Sequence, residues 1–436
     1  MHDPRAEHGT MSRREFLRMS AGAAVALPSA ASILAACTKP GQGGSGFEIA
    51  RPNNPVTLPM NGQPIPTDTP MEQDAELLLF NWQDYIWKSF VRGFVDKHQA
   101  NGTTFTAVTS FQNEDEAVAK LQSGQLKADV YWPTADILGK LVAADLLQPL
   151  NHDLLPNMKL SNWETFQDPY YDQGWRYSVP YTIYTTGIGY RRDHIPDDVI
   201  HGMDNPWSIL WDPQYTDKVG VYPSYRDTMA VVLMKNGITD LNTAKASDLE
   251  LVRKDLIELT NAVNVRISYA GAYSKLPKDV FWLMTAWSGD MNAGWGYAPP
   301  YTQDDYDNIG YWYPPDRKGP VDNDIIAIPK NAPHPRLAHE FINYLLGFKH
   351  AMENFSWNGY QPPQNGLTEE YLTTTEGLYS KSISWAAPTP YVSPWMPDVI
   401  VRQSDFGIGY REGPLTADVD NHWHDVWEEF TAGVRG

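Results

Sequence analysis

The sequence predicts an α/β protein with two domains, and two observations support this fold class. From Glu76 onward, short apolar segments typical of buried strands alternate with segments of helical periodicity. The chain also has 436 residues, which is more than a single compact core usually contains. Strands and helices alternating at this spacing favour a largely parallel sheet with helices packed against it.

The individual elements follow from local patterns. Leu77–Phe80 is a continuous apolar run, as expected of a strand buried on both faces. Asn113 precedes Glu116 by three residues, a capping-box pattern that predicts a helix start, and Gly124 predicts its end. Pro335 opens a segment with apolar residues at helical spacing. The predicted strands are 77–80, 105–108, 128–132, 182–190 and 325–328, and the predicted helices lie near 90–95, 114–123, 335–346 and 421–432.

The N-terminus has the pattern of an export signal. Arg13 and Arg14 form a twin-arginine pair ahead of the apolar stretch Ala21–Leu34. That stretch is too short, and too interrupted by glycine, proline and serine, to span a hydrocarbon layer of ~30 Å. Residues 1–36 are therefore predicted to be a cleaved twin-arginine signal peptide.

Cys37 is the only cysteine of the chain, and it follows the small residues Ala35 and Ala36. It resembles the lipobox cysteine of bacterial lipoproteins, which is diacylated after cleavage, and two acyl chains give lasting membrane attachment. The alternative is an ordinary cleavable signal with an incidental cysteine. Removing residues 1–36 from the 436-residue chain would leave 400 residues. Residues 37–75 are rich in Gly, Pro, Thr and Asn and are predicted to be a flexible tether.

The charge balance points away from some partners. With 53 acidic and 34 basic side chains, the formal net charge is −19. Such a field repels nucleic acid and anionic lipid surfaces and favours cationic ligands. We therefore expect no nucleic-acid partner, and contact with the membrane only through the lipid anchor.

Several short motifs, in a fixed order over residues 76–366, carry a family resemblance. They include Asn81-Trp82-Gln83-Asp84-Tyr85, Asn113-Glu114-Asp115, Val179-Pro180-Tyr181, Leu210-Trp211-Asp212-Pro213, Ala286-Trp287-Ser288-Gly289-Asp290, Ala327-Ile328-Pro329 and Gly359-Tyr360. In this order they resemble the periplasmic spermidine/putrescine-binding proteins of ABC transporters. Each motif is weak alone, whereas their joint order over most of the chain is specific.

The resemblance implies a two-lobed periplasmic-binding-protein fold of type II, with a ligand cleft at the hinge. On the family pattern, one lobe comprises residues 76–184 and 322–367, and the other comprises 185–321 and 368–436. The implied function is capture of a polyamine on the periplasmic or extracellular face and its delivery to a membrane permease. The protein would be a monomer, would not be an enzyme, and would need no cofactor or metal.

A polyamine is a chain of methylenes that carries ammonium groups, so its site needs carboxylates and flat apolar walls. The resemblance assigns Trp82, Tyr85, Trp287 and Tyr360 to an aromatic box. It assigns Asp84, Asp227, Asp290 and Asp324 as ammonium partners. Taken singly, each tryptophan is as well explained by core packing, and each aspartate by a helix cap or the surface.

The chain departs from the family pattern at several site positions. Thr134 and Asp136 stand after the third strand, where the family tends to have serine and tyrosine. Asp322 replaces a tryptophan of some members, and Ser224 replaces a common acid. Asp136 and Asp322 are therefore additional candidate ammonium ligands, with Thr134 beside them.

Two other classes of function stay open from the sequence. Tryptophan platforms and acids also suit sugars or other small solutes bound by an ABC importer. A lipid-anchored hydrolase that uses two carboxylates is the second alternative, although no Gly-x-Ser-x-Gly, His-Glu-x-x-His or phosphate-loop motif is present. Binding that weakens strongly with ionic strength would favour a cation over a sugar.

Overall fold

A computed structural model of the chain describes residues 49–160, 163–294, 308–375, 377, 390–393 and 395–434. The predicted signal peptide and Cys37 lie outside these residues. The described strands are β1 (Leu79–Trp82), β2 (Val108–Phe111), β3 (Val130–Tyr131), β4 (Ser178–Arg191), β5 (Val219–Val221), β6 (Arg266–Ile267), β7 (Leu283–Trp287), β8 (Ile309–Trp312) and β9 (Val321–Ala327).

Along the chain, α-helices alternate with these strands. In chain order the described α-helices are α1 (Lys88–Lys97), α2 (Glu114–Gln122), α3 (Leu138–Ala143), α4 (Asp197–His201), α5 (Tyr225–Lys235), α6 (Ala246–Val263), α7 (Ser288–Ala293), α8 (Pro335–Leu346), α9 (Phe348–Asn358), α10 (Glu369–Thr374), α11 (Asp405–Ile408) and α12 (Ala417–Gly433). Short 3₁₀ turns connect many of them.

The strands form one sheet whose two halves share β4. The strand order is β2-β1-β3-β9-β4-β7-β5-β6, and β8 also pairs with β4. The N-terminal part of β4 pairs with β9 over Ser178–Thr185, and its C-terminal part pairs with β7 over Thr186–Tyr190. A strand of this length therefore runs from one half of the molecule into the other.

The described residues include two large apolar cores, and the first extends across the junction of the halves to Met284 and Trp287 of β7. The first core surrounds β1, β3 and β9 and includes Phe80, Phe94 and Phe341. The second lies among β5, α5, α6 and α12 and includes Val232 and Trp423. Two cores joined by a shared strand agree with the predicted two-lobed α/β architecture.

Local signals located most elements correctly. The Asn113 side chain accepts a hydrogen bond from the Glu116 amide at 2.9 Å, so the predicted cap of α2 is confirmed. Pro335 begins α8 as predicted. The second strand lies three residues later than expected, because β2 pairs with β1 along Val108–Phe111 and buries Phe111 at its end.

The predicted tether is corrected for its described part, residues 49–75. Val56 and Leu58 are buried in the first core, and the Val56 amide donates to the Tyr170 carbonyl at 2.8 Å. Further along, the Tyr177 hydroxyl donates to the Pro59 carbonyl at 2.7 Å. These residues lack helix or strand periodicity, yet a few apolar side chains and backbone hydrogen bonds fix the segment against the body.

Candidate functional site

A cavity of about 180 Å³ lies where β4 and β9 connect the two halves. Its lining comes from the loop after β1, the N-termini of α2 and α5, the segment after β3, the end of β7 and a C-terminal segment. The carboxyl ends of strands are where ligands bind in open α/β sheets. Nine of the eleven predicted ligand-binding residues line this cavity: Trp82, Tyr85, Thr134, Asp136, Asp227, Trp287, Asp322, Asp324 and Tyr360.

Aromatic rings make up one wall of the cavity. The ring centroids of Tyr85 and Tyr360 lie 4.7 Å apart with the rings nearly perpendicular. Tyr184 meets Trp287 at 6.2 Å and Tyr360 at 6.2 Å, again edge to face. Such faces provide apolar contact for methylene groups and favourable sites for cations.

Asp324 of β9 is the carboxylate in contact with this wall. The Tyr85 hydroxyl donates to Asp324 Oδ2 at 2.6 Å, and it also bonds the Thr182 hydroxyl. Asp324 is only 5% exposed, and its Oδ1 is buried without a hydrogen-bond partner among the described residues. Burial raises the pKa of Asp324 to about 8, and neighbouring carboxylates add to the rise. A buried oxygen left in this state is costly unless a donor from a ligand satisfies it.

Asp227 occupies the first turn of α5 and orients a tryptophan. Its Oδ1 accepts a hydrogen bond from Trp287 Nε1 at 2.7 Å. Ser224 caps this helix, since its hydroxyl accepts from the Asp227 amide at 3.4 Å. Burial raises the pKa of Asp227. Asp227 therefore presents a carboxylate to the cavity and also orients the indole ring of Trp287.

Asp290 was expected to meet an ammonium group, and the structure places it outside the lining of this cavity. It lies behind the aromatic wall, where it accepts hydrogen bonds from Tyr222 at 2.7 Å and from Tyr360 at 2.8 Å. Tyr222 stacks on Trp287 with a centroid distance of 3.8 Å. Burial raises the pKa of Asp290 to about 7. Its two oxygens face phenol groups, so Asp290 positions the rings.

Asp84 also lies off the cavity. Its backbone adopts a left-handed conformation, with φ 55°. Its Oδ2 accepts from the Tyr273 hydroxyl at 3.1 Å, which links the loop after β1 to the other half of the molecule. The neighbouring residues Trp82 and Tyr85 do not indicate that Asp84 adopts a left-handed backbone conformation.

The substitute acids line the cavity but already have partners. Arg411 donates to Asp322 Oδ1 at 2.8 Å. Asp136 accepts from the Thr134 hydroxyl at 2.5 Å and lies 3.7 Å from Arg226. Both acids are therefore at least partly neutralised by basic side chains, unlike Asp324.

Carboxylates outnumber basic groups in this cavity. Among the described lining residues are eight carboxylates (Glu114, Asp115, Asp136, Asp227, Asp322, Asp324, Glu412 and Asp420) and two basic side chains (Lys140 and Arg226). Within 4 Å, no described Lys, Arg or His reaches Glu114, Asp227, Asp324 or Glu412. The arrangement favours a positively charged solute.

Sequence reasoning did not single out several lining residues, among them Tyr184, Tyr269, Glu114 and Glu412. Tyr184 lies on the crossing strand, so period-two alternation around Thr182 and Tyr184 could have suggested it. Glu412 lies in an irregular segment with no periodic signal. Only the tertiary fold brings it to the cavity.

The described residues lack two features that would indicate other roles. Within the described ranges, no helix has the length and apolar character needed to cross a bilayer. The same residues contain no group of three or more His, Cys, Asp or Glu side chains arranged to hold a metal ion.

Comparison with known proteins identifies the class. Residues 96–375 match the family described as bacterial extracellular solute-binding protein, and the chain belongs to this family. It is 25% identical over 326 residues to the spermidine/putrescine-binding periplasmic protein 1 of Haemophilus influenzae, covering 74% of this chain and 84% of the relative. It is 26% identical over 285 residues to the putrescine-binding periplasmic protein PotF of Escherichia coli, covering 63% and 74%.

The fold agrees with this membership. The TpPotD lipoprotein of Treponema pallidum superimposes with a TM-score of 0.61 at 20% identity, covering 82% of this chain and 99% of that structure. At that identity the likeness concerns the fold alone. The protein is thus a two-lobed periplasmic-binding-protein fold with a cleft at the junction of its lobes, and its family consists of solute-binding proteins rather than enzymes.

Proposed function

We propose that the protein captures a polyamine, of the spermidine or putrescine type, in the cavity between its lobes. The observation that carries this proposal is Asp324, a buried carboxylate with one unpartnered oxygen beside the ring of Tyr85. An ammonium group there would supply the missing donors, and the aromatic wall would contact the methylene chain. The names of the relatives, which bind spermidine or putrescine, support the same class of ligand.

Binding would favour the closed arrangement of the two lobes. The cavity lining comes from both halves, with Asp324 and Tyr85 on one side and Asp227 and Trp287 on the other. A ligand shifts a conformational equilibrium only through its differential affinity for the two states. A solute held by both lobes has this property, whereas one held by a single lobe does not. We propose residues 76–184 with 322–367, and 185–321 with 368–436, as the two lobes.

We also propose where the protein delivers its solute and how it is attached to the membrane. The closed form would deliver its solute to the permease of an ABC importer. Lipidated Cys37 would hold the protein, as a monomer, on the periplasmic or extracellular face of the membrane. Metabolic labelling with a fatty acid tests the anchor: the label should be present in the wild type and lost, with release of the protein, in Cys37→Ser. Label that persists in Cys37→Ser would contradict it.

Calorimetric titration of the purified chain tests the ligand class. Putrescine, spermidine and spermine should bind with affinities tighter than millimolar, and glucose and maltose should give no heat. Binding should weaken as salt is raised, because ammonium–carboxylate attraction is screened. No response to any amine, or a sugar bound with little salt dependence, would contradict the proposal.

A further inference from the structure

A C-terminal segment, Tyr410–Gly413, is fixed along the edge of the cavity. The Tyr410 amide donates to the Gly319 carbonyl at 2.9 Å, and the Val321 amide donates to the Tyr410 carbonyl at 3.0 Å. The Gly413 amide donates to Asn242 at 2.7 Å. These bonds on both sides of Glu412 determine where its backbone lies.

A buried ion pair adds to this anchoring. Arg411 is 8% exposed, and it donates to Asp322 at 2.8 Å and to Asn323 at 2.7 Å. The Glu412 amide donates to the other oxygen of Asp322 at 2.9 Å. Asp322 therefore binds two consecutive residues of the segment, so the direction in which Glu412 leaves the backbone is constrained.

The Glu412 side chain is uncommitted. It is partly buried and lines the cavity, and its carboxylate makes no hydrogen bond or ion pair with any described residue. The nearby Arg226 guanidinium donates hydrogen bonds to the carbonyls of Gly413 and Leu241 rather than to Glu412, although its positive charge opposes the rise in the pKa of Glu412. Burial, together with the negative charge of Asp227, raises the pKa of Glu412 well above its usual range.

Four cavity acids have no basic side chain within 4 Å among the described residues, and two of these, Glu114 and Asp227, accept hydrogen bonds from Tyr131 and Trp287. The other two are the candidate positions for ammonium groups. One is Asp324, with its unpartnered Oδ1, and the other is Glu412, near Asp227. Tyr184 lines the same cavity as these two acids. Burial and then the charges of Asp324, Asp227 and Asp322, with a smaller effect of Glu412, raise its pKa well above the usual value. A monoamine can neutralise only one of the two positions.

We propose that Glu412 directly binds the second ammonium group of the solute, and so makes the site select dications over monoamines of the same length. This rests on the proposed function. Arg411 is a positioning residue, which acts by holding Glu412 through Asp322. The selectivity would come from a segment that follows Tyr360 by some fifty residues and has no recognisable motif.

The test compares two ligands on three proteins. Wild type, Glu412→Gln and Glu428→Gln are titrated with 1,4-diaminobutane and with 1-aminobutane. Glu428 is exposed and has no side-chain partner among the described residues, so it is a matched control. Glu412→Gln should weaken diamine binding about 30-fold, as expected when a buried charge loses its partner, and should change monoamine binding less than about twofold. Glu428→Gln should behave as wild type.

A second readout separates binding from a structural role. Titrations in buffers of different ionisation enthalpy count the protons released on binding. Diamine binding should release fewer protons in Glu412→Gln than in the wild type, because one raised carboxylate pKa is removed. Unchanged diamine affinity in Glu412→Gln overturns this inference and leaves the proposed function intact. Equal weakening for both amines, with the same proton count, also overturns it. A wild type that binds no amine overturns the proposed function itself.

Discussion

Asp324 has the environment of an acid prepared for a cation, since it is buried, holds one phenol hydroxyl and keeps one oxygen unpartnered. Asp324→Asn should weaken polyamine binding about 30-fold or more, because the ammonium group loses its charged partner. Asp96→Asn is the matched control, since Asp96 is exposed on α1, away from the cavity, and should change affinity little. Calorimetry with putrescine measures both. Equal losses in the two variants would show that general charge, not this position, matters.

The raised pKa of Asp324 predicts a pH dependence of binding. With a pKa of about 8 in the free protein, Asp324 is mostly protonated near pH 6. Because an ammonium ligand requires the charged carboxylate, binding must release this proton below pH 8. Affinity should therefore increase as pH rises from about 6 to about 8, and then level off. Calorimetry across this range measures it, and affinity that falls with rising pH would contradict the assignment.

The raised pKa of Asp324 also predicts that the stability of the ligand-free protein falls as pH rises. The folded pKa of Asp324 is above its unfolded value, so the folded state binds more protons between the two values. Asp324 then contributes less stability as pH rises from about 4 to about 8. The wild type should lose thermal stability relative to Asp324→Asn over this range. A stability difference between the two proteins that does not depend on pH would show that Asp324 is ionised when the site is empty.

Residue types in order along the chain, together with the family resemblance, were enough to predict nine of the residues that line the cavity. Trp82 and Tyr85 follow a predicted strand and carry the family resemblance, whereas Trp287 is indicated by the resemblance alone. The position of Asp290 behind the aromatic wall was not predicted, because sequence order does not show which side of the wall a carboxylate faces. Glu412 was missed because its position depends on hydrogen bonds between segments far apart in sequence.

At the scale of elements, α7 holds Tyr360 against the cavity by close contact. A Cβ at Gly289 would lie 2.3 Å from the ring of Tyr360, so Gly289→Ala must displace that ring. We expect weaker polyamine binding and a lower melting temperature. Gly407→Ala is the control, because no atom lies within 4 Å of its added Cβ. Calorimetry and thermal melting measure the pair, and normal binding in Gly289→Ala would remove Tyr360 from the wall.

Capping and periodicity predicted elements whose signals are local, such as α2 and α8. The span of β4 could not be obtained in this way. Its pairing partners come from distant segments, β7 about 100 residues later and β9 about 140 residues later. A register shift between Pro180 and Thr182 also interrupts the pairing with β9. Long-range pairing of this kind decides where the two halves meet, and so where the cavity lies.

At the scale of the whole molecule, polar contacts at the cavity edge join α3 to α12. Lys140 lies 2.7 Å from Asp420, whose other oxygen accepts from Tyr225 at 2.6 Å. Asp420 is only 2% exposed. Replacing Lys140 removes the ammonium group that neutralises the buried Asp420. Because α3 and α12 belong to different proposed lobes, this loss costs free energy only while the lobes are closed. Lys140→Met should therefore favour the open form.

We expect about tenfold weaker polyamine binding for Lys140→Met, with faster dissociation. Lys120→Met is the control, since Lys120 pairs with Glu116 at a half-exposed site within α2. Stopped-flow fluorescence of the cavity tryptophans measures the rates. Equal dissociation rates in Lys140→Met and the wild type would show that the α3–α12 contact does not control closure.

The most direct test is a crystal structure of the protein with putrescine. We predict elongated density along the aromatic wall, with one ammonium nitrogen about 2.8 Å from Asp324 Oδ1 and the other end of the chain toward Asp227 and Glu412. Density elsewhere on the molecule, or an amine whose nitrogen atoms contact no carboxylate of the cavity, would contradict the account.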